Sequence, residues 1–202
     1  CLQKQFADRL DKIQERKMTC AFSNPVANSS IEKAVILAAG RGTRMRSERE
    51  GVQLTGEQTE AAASGVKALI PVGRPFLDYV LTALAESGYR DICLVVGLQH
   101  DALLARYGQT CDPRLTVSFR TQLQPLGTAH ALMAADNFVG SDEFLLINSD
   151  NYYPTAALAA LRRLPGPGLV GFDAGALSER GNIPPERVND YALLQSDEQG
   201  WL

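Results

Sequence analysis

The chain of 202 residues contains little cysteine, and its cysteines show no spacing typical of a metal site or a disulfide framework. The four cysteines stand apart with no C-x-x-C pair, so neither a zinc site nor a set of disulfides is expected. Because Cys93 lies inside the apolar segment DICLVVG, we expect its side chain to be buried as a small hydrophobic group. This use of cysteine suits a reducing compartment, and we expect a cytoplasmic protein.

The chain also lacks a dense basic stripe and any long apolar run. A net charge of −3 without clustered lysine and arginine argues against a nucleic-acid-binding surface. No stretch approaches the roughly 18 continuous apolar residues of a transmembrane helix, so no membrane partner is expected. What remains is an ordinary globular composition, 45% hydrophobic, that can bury one sizeable core in one domain or at most two.

Residues 34–45 read AVILAAGRGTRM, an apolar run that leads directly into a glycine-rich loop. The run AVIL is continuous rather than alternating, which is typical of a central strand covered on both faces in an α/β sheet. The loop then lies at the carboxyl end of the strand, where open α/β sheets bind ligands. Gly40 and Gly42 allow the backbone to approach a ligand closely. Three arginines supply fixed positive charge suited to phosphate oxygens, and they are Arg41, Arg44 and Arg46.

Other glycine-rich phosphate loops fit this segment less well. The dinucleotide fingerprint G-x-G-x-x-G fails, because Met45 stands where its last glycine belongs. A Walker loop, G-x-x-x-x-G-K-[ST], fails as well, since Met45 and Arg46 occupy its glycine and lysine positions. A plain tight turn after a buried strand is the remaining alternative, because Gly-x-Gly spacing alone is weak evidence for a ligand.

The rest of the chain alternates between strand-like and helix-like apolar patterns. After an irregular polar stretch at 46–65, repeated β-α-β units predict a mostly parallel sheet. In the first of the helices, the apolar residues fall on one face and Gly88 ends the pattern. We therefore expect an α/β, Rossmann-like sheet with helices on both faces. The predicted strands are 34–37, 92–96, 115–119, 144–148 and 169–172, the predicted helices are 76–87, 100–107, 128–137 and 155–164, and 191–195 is predicted to lie in a hairpin.

Several motifs, taken in order, resemble those of the sugar-phosphate nucleotidylyltransferases. The resemblance begins with the strand and glycine-rich loop, continues through a lysine segment and the following helix, and includes a second strand. It ends with a segment that reads the base and a strand that leads to a metal-binding aspartate. The motifs are LAAGRGTRM at 37–45, KALIPV at 67–72, RPFLDYVL at 74–81, DICLVVG at 91–97, QLQPLGTA at 122–129 and LLINSDN at 145–151.

The resemblance implies an enzyme that condenses an NTP with a sugar-1-phosphate to give an NDP-sugar and pyrophosphate, with Mg²⁺ as cofactor. Both reactants are anions, so the chemistry consists mainly of positioning and charge neutralisation. The resemblance assigns Arg44 a catalytic contact with the triphosphate and leaves Arg41 and Arg46 equally consistent with solvated surface charges. The nucleotide contacts implied in the first loop are Leu37, Ala38, Ala39, Gly40, Gly42 and Thr43.

Two further charged residues, Lys67 and Asp150, are candidates for the phosphate end of the site. The resemblance places Lys67 near the α-phosphate and the sugar phosphate, while the alternative is a solvated lysine that opens a strand. Asp150 ends an apolar strand, where a carboxylate is costly unless it meets a cation, and its hard oxygen suits Mg²⁺. The alternative for Asp150 is a helix N-cap or turn residue, since Asn151 and Pro154 follow.

Gln122 and Gly127 are the candidates for recognition of the nucleobase, with Thr128 beside them. A glutamine amide carries both an acceptor and donors, and a glycine lets the base approach the backbone. Gln124 competes with Gln122, which we prefer because its offset from the Leu-Gly-Thr triplet resembles that of the family. Neither histidine of the chain shows a partner in the sequence. His130, on the helix after Gly127, is expected to be structural or solvent-facing.

Residues 1–30 are expected to form a flexible extension, and 31–202 a nucleotidyltransferase domain truncated at its carboxyl end. The partners implied are an NTP and a sugar-1-phosphate, and a homo-oligomer is left open. One alternative function is a non-catalytic subunit that senses nucleotide or sugar nucleotide. Another is a cytidylyltransferase with a non-sugar phosphorylated acceptor, or a transferase of the molybdenum-cofactor type. The base is left open, with a preference for a pyrimidine.

Overall fold

The computed structural model of the chain describes residues 31–40, 56, 66–98, 100–109, 112–181, 183–188, 190–195 and 197. The chain divides into two compact units, Cys1–Pro165 and Gly166–Leu202. The first unit contains the sheet and its helices. None of the helices in these described ranges has the length and apolar content needed to cross a membrane.

The core of the first unit is a four-stranded sheet in which every neighbouring pair is parallel. Its strands are β1 (Lys33–Ala38), β4 (Asp91–Gly97), β5 (Thr116–Gln122) and β6 (Phe144–Asn148). They lie in the order β5-β4-β1-β6. Two short strands, β2 (Pro71–Val72) and β3 (Arg74–Pro75), form a separate antiparallel pair.

Strand β1 is central because it pairs on both edges. Leu37 stands opposite Val95 of β4 and opposite Asn148 of β6. Ala34, Val35 and Ile36 have no exposed surface, as a central strand covered on both faces requires. The prediction drawn from the continuous apolar run is therefore confirmed.

Helices cover both faces of the sheet, as the sequence predicts. The helices that the structure describes in the first unit are α1 (Phe76–Glu86), α2 (Asp101–Tyr107), α3 (Thr128–Met133), α4 (Asp136–Val139) and α5 (Thr155–Leu161). On one face of the sheet, Ile36 belongs to a core that includes residues of α1, α2 and α5. On the other face, Val35 packs in a second core with residues of α3 and α4.

Helix α1 follows directly from its apolar spacing. Leu77, Val80, Leu81 and Leu84 recur at intervals of three, one and three residues, and all four are buried against the sheet. The helix ends where Gly88 adopts a φ of 92°, a conformation that favours glycine. There the backbone N–H of Tyr89 donates to the carbonyl of Leu84, which closes the last turn.

Two sequence predictions for regular structure differ from the observed elements. The helix predicted over 128–137 is divided into α3 and α4, because Ala135 adopts φ −94° and ψ 5° and interrupts the helical backbone. The helix predicted over 155–164 ends earlier, at Leu161.

The strand predicted at 169–172 is wrong. Leu169 is 52% exposed and Phe172 is 45% exposed, and among the described residues no strand pairs with this segment. Its backbone therefore lacks the ladder that a strand needs, and Asp173 then caps a helix by accepting from the N–H of Ala176. The second unit instead contains α6 (Ala174–Arg180) and α7 (Pro185–Val188). Residues 191–195 form no strand, and most of the remainder of the predicted hairpin lies outside the described residues.

A buried tyrosine just before β4 forms a hydrogen bond with α5. Tyr89 is fully buried, and its hydroxyl donates a hydrogen bond of 3.1 Å to the carbonyl of Leu158. Burial raises the pKa of Tyr89 to about 12, against a smaller opposing effect of the Arg162 charge. The folded state thus retains a proton that the unfolded chain releases near pH 10.

We predict that this tyrosine makes the fold alkali-sensitive. Since the unfolded state binds fewer protons between about pH 10 and 12, the free energy of unfolding should fall as pH rises through that window. At neutral pH, the free energy of unfolding of Tyr89→Phe should be about 1 kcal/mol lower than that of the wild type, because the hydrogen bond is lost. In alkali, its free energy of unfolding should fall less steeply with pH. Urea unfolding midpoints from pH 8 to 12 measure both effects.

The matched control is Tyr191→Phe, which changes an exposed tyrosine and should leave the alkaline slope of the wild type. Equal slopes in the wild type and in Tyr89→Phe would contradict the assignment.

Candidate functional site

The topology places a crevice at the carboxyl edge of the sheet, between β1 and β6. From β1 the chain builds the sheet in one direction through β4 and β5, and then returns to add β6 on the other side of β1. Where the strand order of a parallel sheet reverses in this way, a crevice lies outside the carboxyl ends of the neighbouring strands, and open α/β sheets bind ligands there.

A cavity of about 470 Å³ lies at this edge. Its wall combines the end of β1, the segment before β2, the end of β5 with the start of α3, and the end of β6. The lining residues are Leu37, Ala38, Ala39, Gly40, Val66, Lys67, Ala68, Gln122, Pro125, Gly127, Thr128, Ala131, Asn148, Ser149 and Asp150.

The cavity brings together the predicted site residues that the structure describes. These residues come from four separate segments of sequence and all line the same wall: Leu37, Ala38, Ala39, Gly40, Lys67, Gln122, Gly127, Thr128 and Asp150. The other three predicted residues, Gly42, Thr43 and Arg44, lie outside the described residues. The role of each residue remains a prediction from sequence.

Lys67 begins a short 3₁₀ helix, Lys67–Leu69, and does not open a strand. The residues on either side of it, Val66 and Ala68, are buried at 3% and 1% exposure. The N–H of Leu69 donates to the carbonyl of Val66, which closes the turn. Two buried neighbours thus anchor the backbone, and Lys67 lines the cavity.

Asp150 stands opposite this lysine. The Nζ of Lys67 lies 2.9 Å from Oδ2 of Asp150, and each side chain is about 40% exposed. Asp150 is positioned by the sheet, because the N–H of the buried Ser149 donates to the carbonyl of Leu37 and extends the pairing of β6 with β1. The carboxylate at the end of the apolar strand therefore has a cation beside it.

The oxygen atoms at this part of the cavity wall are compatible with a hard divalent cation. Mg²⁺ is commonly held by one or two carboxylates together with substrate phosphates and water, so a single aspartate on the cavity wall is sufficient from the protein side. The side chains of Asn148 and Ser149 add neutral oxygen atoms on the same wall. Among the residues that the structure describes, no group of three His, Cys, Asp or Glu side chains could form a metal cage without substrate.

The base-reading candidates form a hydrogen-bonded unit at the end of β5. Gln122 is 6% exposed, and its Nε2 donates to the carbonyl of Gly127 at 3.1 Å. The same Nε2 lies 3.2 Å from Nδ1 of His130 on α3. Gly127 has a φ of 102°, where any other residue would be strained, and a Cβ built there would meet no atom within 4 Å. The backbone at Gly127 is therefore open toward the cavity.

The two histidines and Gln124 differ in their relation to the site. Gln124, the competing candidate, is exposed and does not line the cavity. His130 has a partner in Gln122 that sequence reasoning did not find. His100 is buried, its Nδ1 accepts from the N–H of Gly97 at 2.9 Å, and burial lowers its pKa, so it acts as a neutral structural residue.

Sequence reasoning also missed several wall residues. Asn148 and Ser149 precede Asp150 directly, and their place at a strand end within the motif LLINSDN was the signal that could have found them. The others are apolar or small, namely Val66, Ala68, Pro125 and Ala131, and no chemical signal marks them.

Comparisons with known proteins identify relatives of this chain. The chain is 34% identical over 184 residues to a glucose-1-phosphate thymidylyltransferase of Streptomyces griseus, a match that covers 80% of this chain and 47% of the relative. It is 35% identical over 169 residues to the bifunctional protein GlmU of Sinorhizobium fredii, covering 80% of this chain and 32% of the relative. The chain thus spans less than half the length of these curated relatives.

Among solved structures, a crystal structure of UDP-glucose pyrophosphorylase complexed with UDP-glucose superposes with a TM-score of 0.51 at 20% identity. The match covers 65% of this chain and 52% of that protein, and it supports the fold. A family profile described as Nucleotidyl transferase matches residues 33–165, the stretch that includes every described wall residue of the cavity. The chain belongs to this nucleotidyl transferase family.

Proposed function

We propose that this protein transfers a nucleotidyl group from an NTP to a sugar-1-phosphate, which yields an NDP-sugar and pyrophosphate. The observation that carries this proposal is that one cavity has a lysine–aspartate pair on one part of its wall and a glutamine–glycine unit on another. Charged groups suit the phosphates, and the amide with its open backbone suits a base edge.

At the phosphate end, Lys67 supplies a fixed positive charge. An ammonium that already lies 2.9 Å from a carboxylate oxygen can form the same contact with a phosphate oxygen, with the backbone turn unchanged. The backbone at Gly40 is open, since a Cβ built there would meet no atom within 4 Å, so a phosphate group can approach the backbone of Gly40 closely. Arg44 is assigned to the triphosphate by the sequence motif.

Asp150 would hold the divalent metal, which we take to be Mg²⁺. When bound, the metal neutralises charge on the phosphate oxygens. Asp150 also orients Lys67, and this keeps the two opposite charges together at the position where the phosphates arrive.

The reaction that this site would serve needs no protein nucleophile. An oxygen of the sugar phosphate attacks the α-phosphorus of the NTP, a new P–O bond forms, and the bond from the α-phosphorus to the bridging oxygen breaks. The electron pair leaves with pyrophosphate. The contribution of Lys67 is to place the two anions together and to offset the charge that develops on the transferring group.

The names of two relatives support the choice of acceptor and donor. The relative from Streptomyces griseus is called a glucose-1-phosphate thymidylyltransferase, and a second relative of the same name is known from Streptomyces antibioticus at 31% identity over 121 residues. Both names describe transfer of a pyrimidine nucleotide to a sugar-1-phosphate, which agrees with the pyrimidine preference drawn from the sequence.

The proposal is tested by measuring pyrophosphate release by the chain and by the full product of the gene that encodes it. Each NTP is combined with glucose-1-phosphate, with other sugar-1-phosphates and with a phosphorylated amino alcohol, with and without Mg²⁺. Pyrophosphate that depends on both metal and sugar phosphate supports the proposal. Release only with the amino alcohol would favour the cytidylyltransferase alternative, and nucleotide binding without release would favour a sensor.

We predict that Asp150→Asn and Lys67→Met each lower kcat by about 10² to 10³-fold, because each removes charge stabilisation from the same step. Steady-state pyrophosphate release measures the effect. Asp136→Asn, which changes an exposed carboxylate away from the cavity wall, is the matched control and should retain wild-type kcat. A Lys67→Met enzyme with full kcat would argue against the assigned role.

A second prediction follows from the ion pair itself. Without nucleotide, Lys67 and a metal ion compete for the carboxylate of Asp150, because both are cations. Lys67→Met should therefore bind Mn²⁺ about fivefold more tightly than the wild type in the absence of NTP, a factor typical of an exposed pair. Electron paramagnetic resonance titration of free Mn²⁺ measures this. Unchanged Mn²⁺ affinity would mean that the metal does not use this carboxylate.

A further inference from the structure

We propose that His130 is a positioning residue that fixes the orientation of the Gln122 amide, so that its carbonyl oxygen and not its NH₂ group faces the nucleobase. This inference rests on the proposed function and deepens it, because it assigns the residue that sets the base preference of the same site. It is carried by the contacts of a single amide group.

The first step is the contact with Gly127. A backbone carbonyl can only accept, and the Gln122 side-chain atom that lies 3.1 Å from the carbonyl of Gly127 is Nε2. The opposite orientation of the amide would place two acceptor oxygens against each other. The contact with Gly127 therefore identifies which end of the amide points toward α3.

The second step concerns the tautomer of His130. The Nε2 atom of Gln122 is a donor only, so the imidazole nitrogen at 3.2 Å, Nδ1, must act as an acceptor. An acceptor Nδ1 belongs to the neutral imidazole that carries its proton on Nε2. His130 lies on α3 three residues beyond Gly127, so one turn of chain presents both acceptors to the same NH₂ group.

The third step concerns Oε1, the oxygen atom of the Gln122 amide. The two hydrogens of the Gln122 NH₂ group are directed to Gly127 and His130, and no described residue donates to Oε1. Among the described residues, no buried side-chain oxygen or nitrogen lacks a partner, so Oε1 must be reachable from outside the protein. Because Gln122 lines the cavity, its acceptor is the atom available to a ligand there.

An acceptor at this position selects among bases by their edges. Uracil and thymine present an N3–H donor, whereas cytosine has an unprotonated N3 acceptor at the same place, and adenine has an acceptor at N1. Rotation of the amide by half a turn would reverse the choice, and would place Oε1 against both Gly127 and His130. With His130 removed, only one acceptor opposes that rotation, so discrimination should weaken.

The experiment measures nucleotide affinity, not turnover. A fluorescent ribose-labelled UTP is bound to the protein with Mg²⁺ and displaced by UTP, dTTP, CTP or ATP. His130→Leu should weaken UTP and dTTP binding about five- to tenfold, the effect of one lost hydrogen bond, and should tighten CTP binding, because the rotated amide presents its NH₂ group to N3 of cytosine. His130→Asn, whose Oδ1 can accept in place of Nδ1, should restore the affinity for UTP to within twofold of the wild type.

Two controls separate positioning from general structural damage. Met133→Leu changes an exposed residue of the same helix and should keep the wild-type ratio of UTP to CTP affinity. In a Gln122→Leu background, His130→Leu should have no further effect, because His130 acts only through the amide.

The outcomes distinguish this inference from the function on which it rests. Displacement by UTP with an unchanged UTP to CTP ratio in His130→Leu would overturn the positioning role and leave the proposed function intact. The same holds if His130→Asn is as weak as His130→Leu, or if the two substitutions add in the Gln122→Leu background. Failure of every NTP to bind the wild-type protein would overturn the proposed function, and this inference with it.

Discussion

The parallel pairing of β1 with β6 is the constraint on which the site depends. The register that sets Leu37 opposite Asn148 continues one residue further, where the N–H of Ser149 donates to the carbonyl of Leu37. Because β6 joins the sheet on the side of β1 away from β4, the chain leaves a crevice above these two strand ends. The position of Asp150, the partner of Lys67, follows from this register.

The polar groups of the cavity are held in pairs while no ligand is present. Lys67 and Asp150 neutralise each other, and the NH₂ group of Gln122 is satisfied by Gly127 and His130. Such pairing lowers the cost of keeping charged and buried polar groups in a concave site. It also leaves the backbone and the amide in the geometry that a nucleotide would meet, so little reorganisation is needed on binding.

Sequence patterns predicted the fold well where apolar burial decides local structure. The continuous run in β1 and the one-sided stripe of α1 both match the observed burial. The segment 169–172 failed because a short apolar run acquires strand structure only from a partner strand, and the sequence contains no signal for whether that partner exists. The division between α3 and α4 likewise depends on backbone angles at Ala135 that its helix-favouring composition does not reveal.

By itself the sequence determined the residue types and their order along the chain: a glycine-rich loop after a buried strand, a lysine, a glutamine before Leu-Gly-Thr, and an aspartate at a strand end. Only the tertiary structure decided which of these groups meet. Lys67 and Asp150 are 83 residues apart in sequence and 2.9 Å apart in space, because the 3₁₀ turn at Lys67 and the carboxyl end of β6 form parts of the same cavity wall. The contact of His130 with Gln122 was decided in the same way, since a side-chain orientation depends on neighbours that no single motif contains.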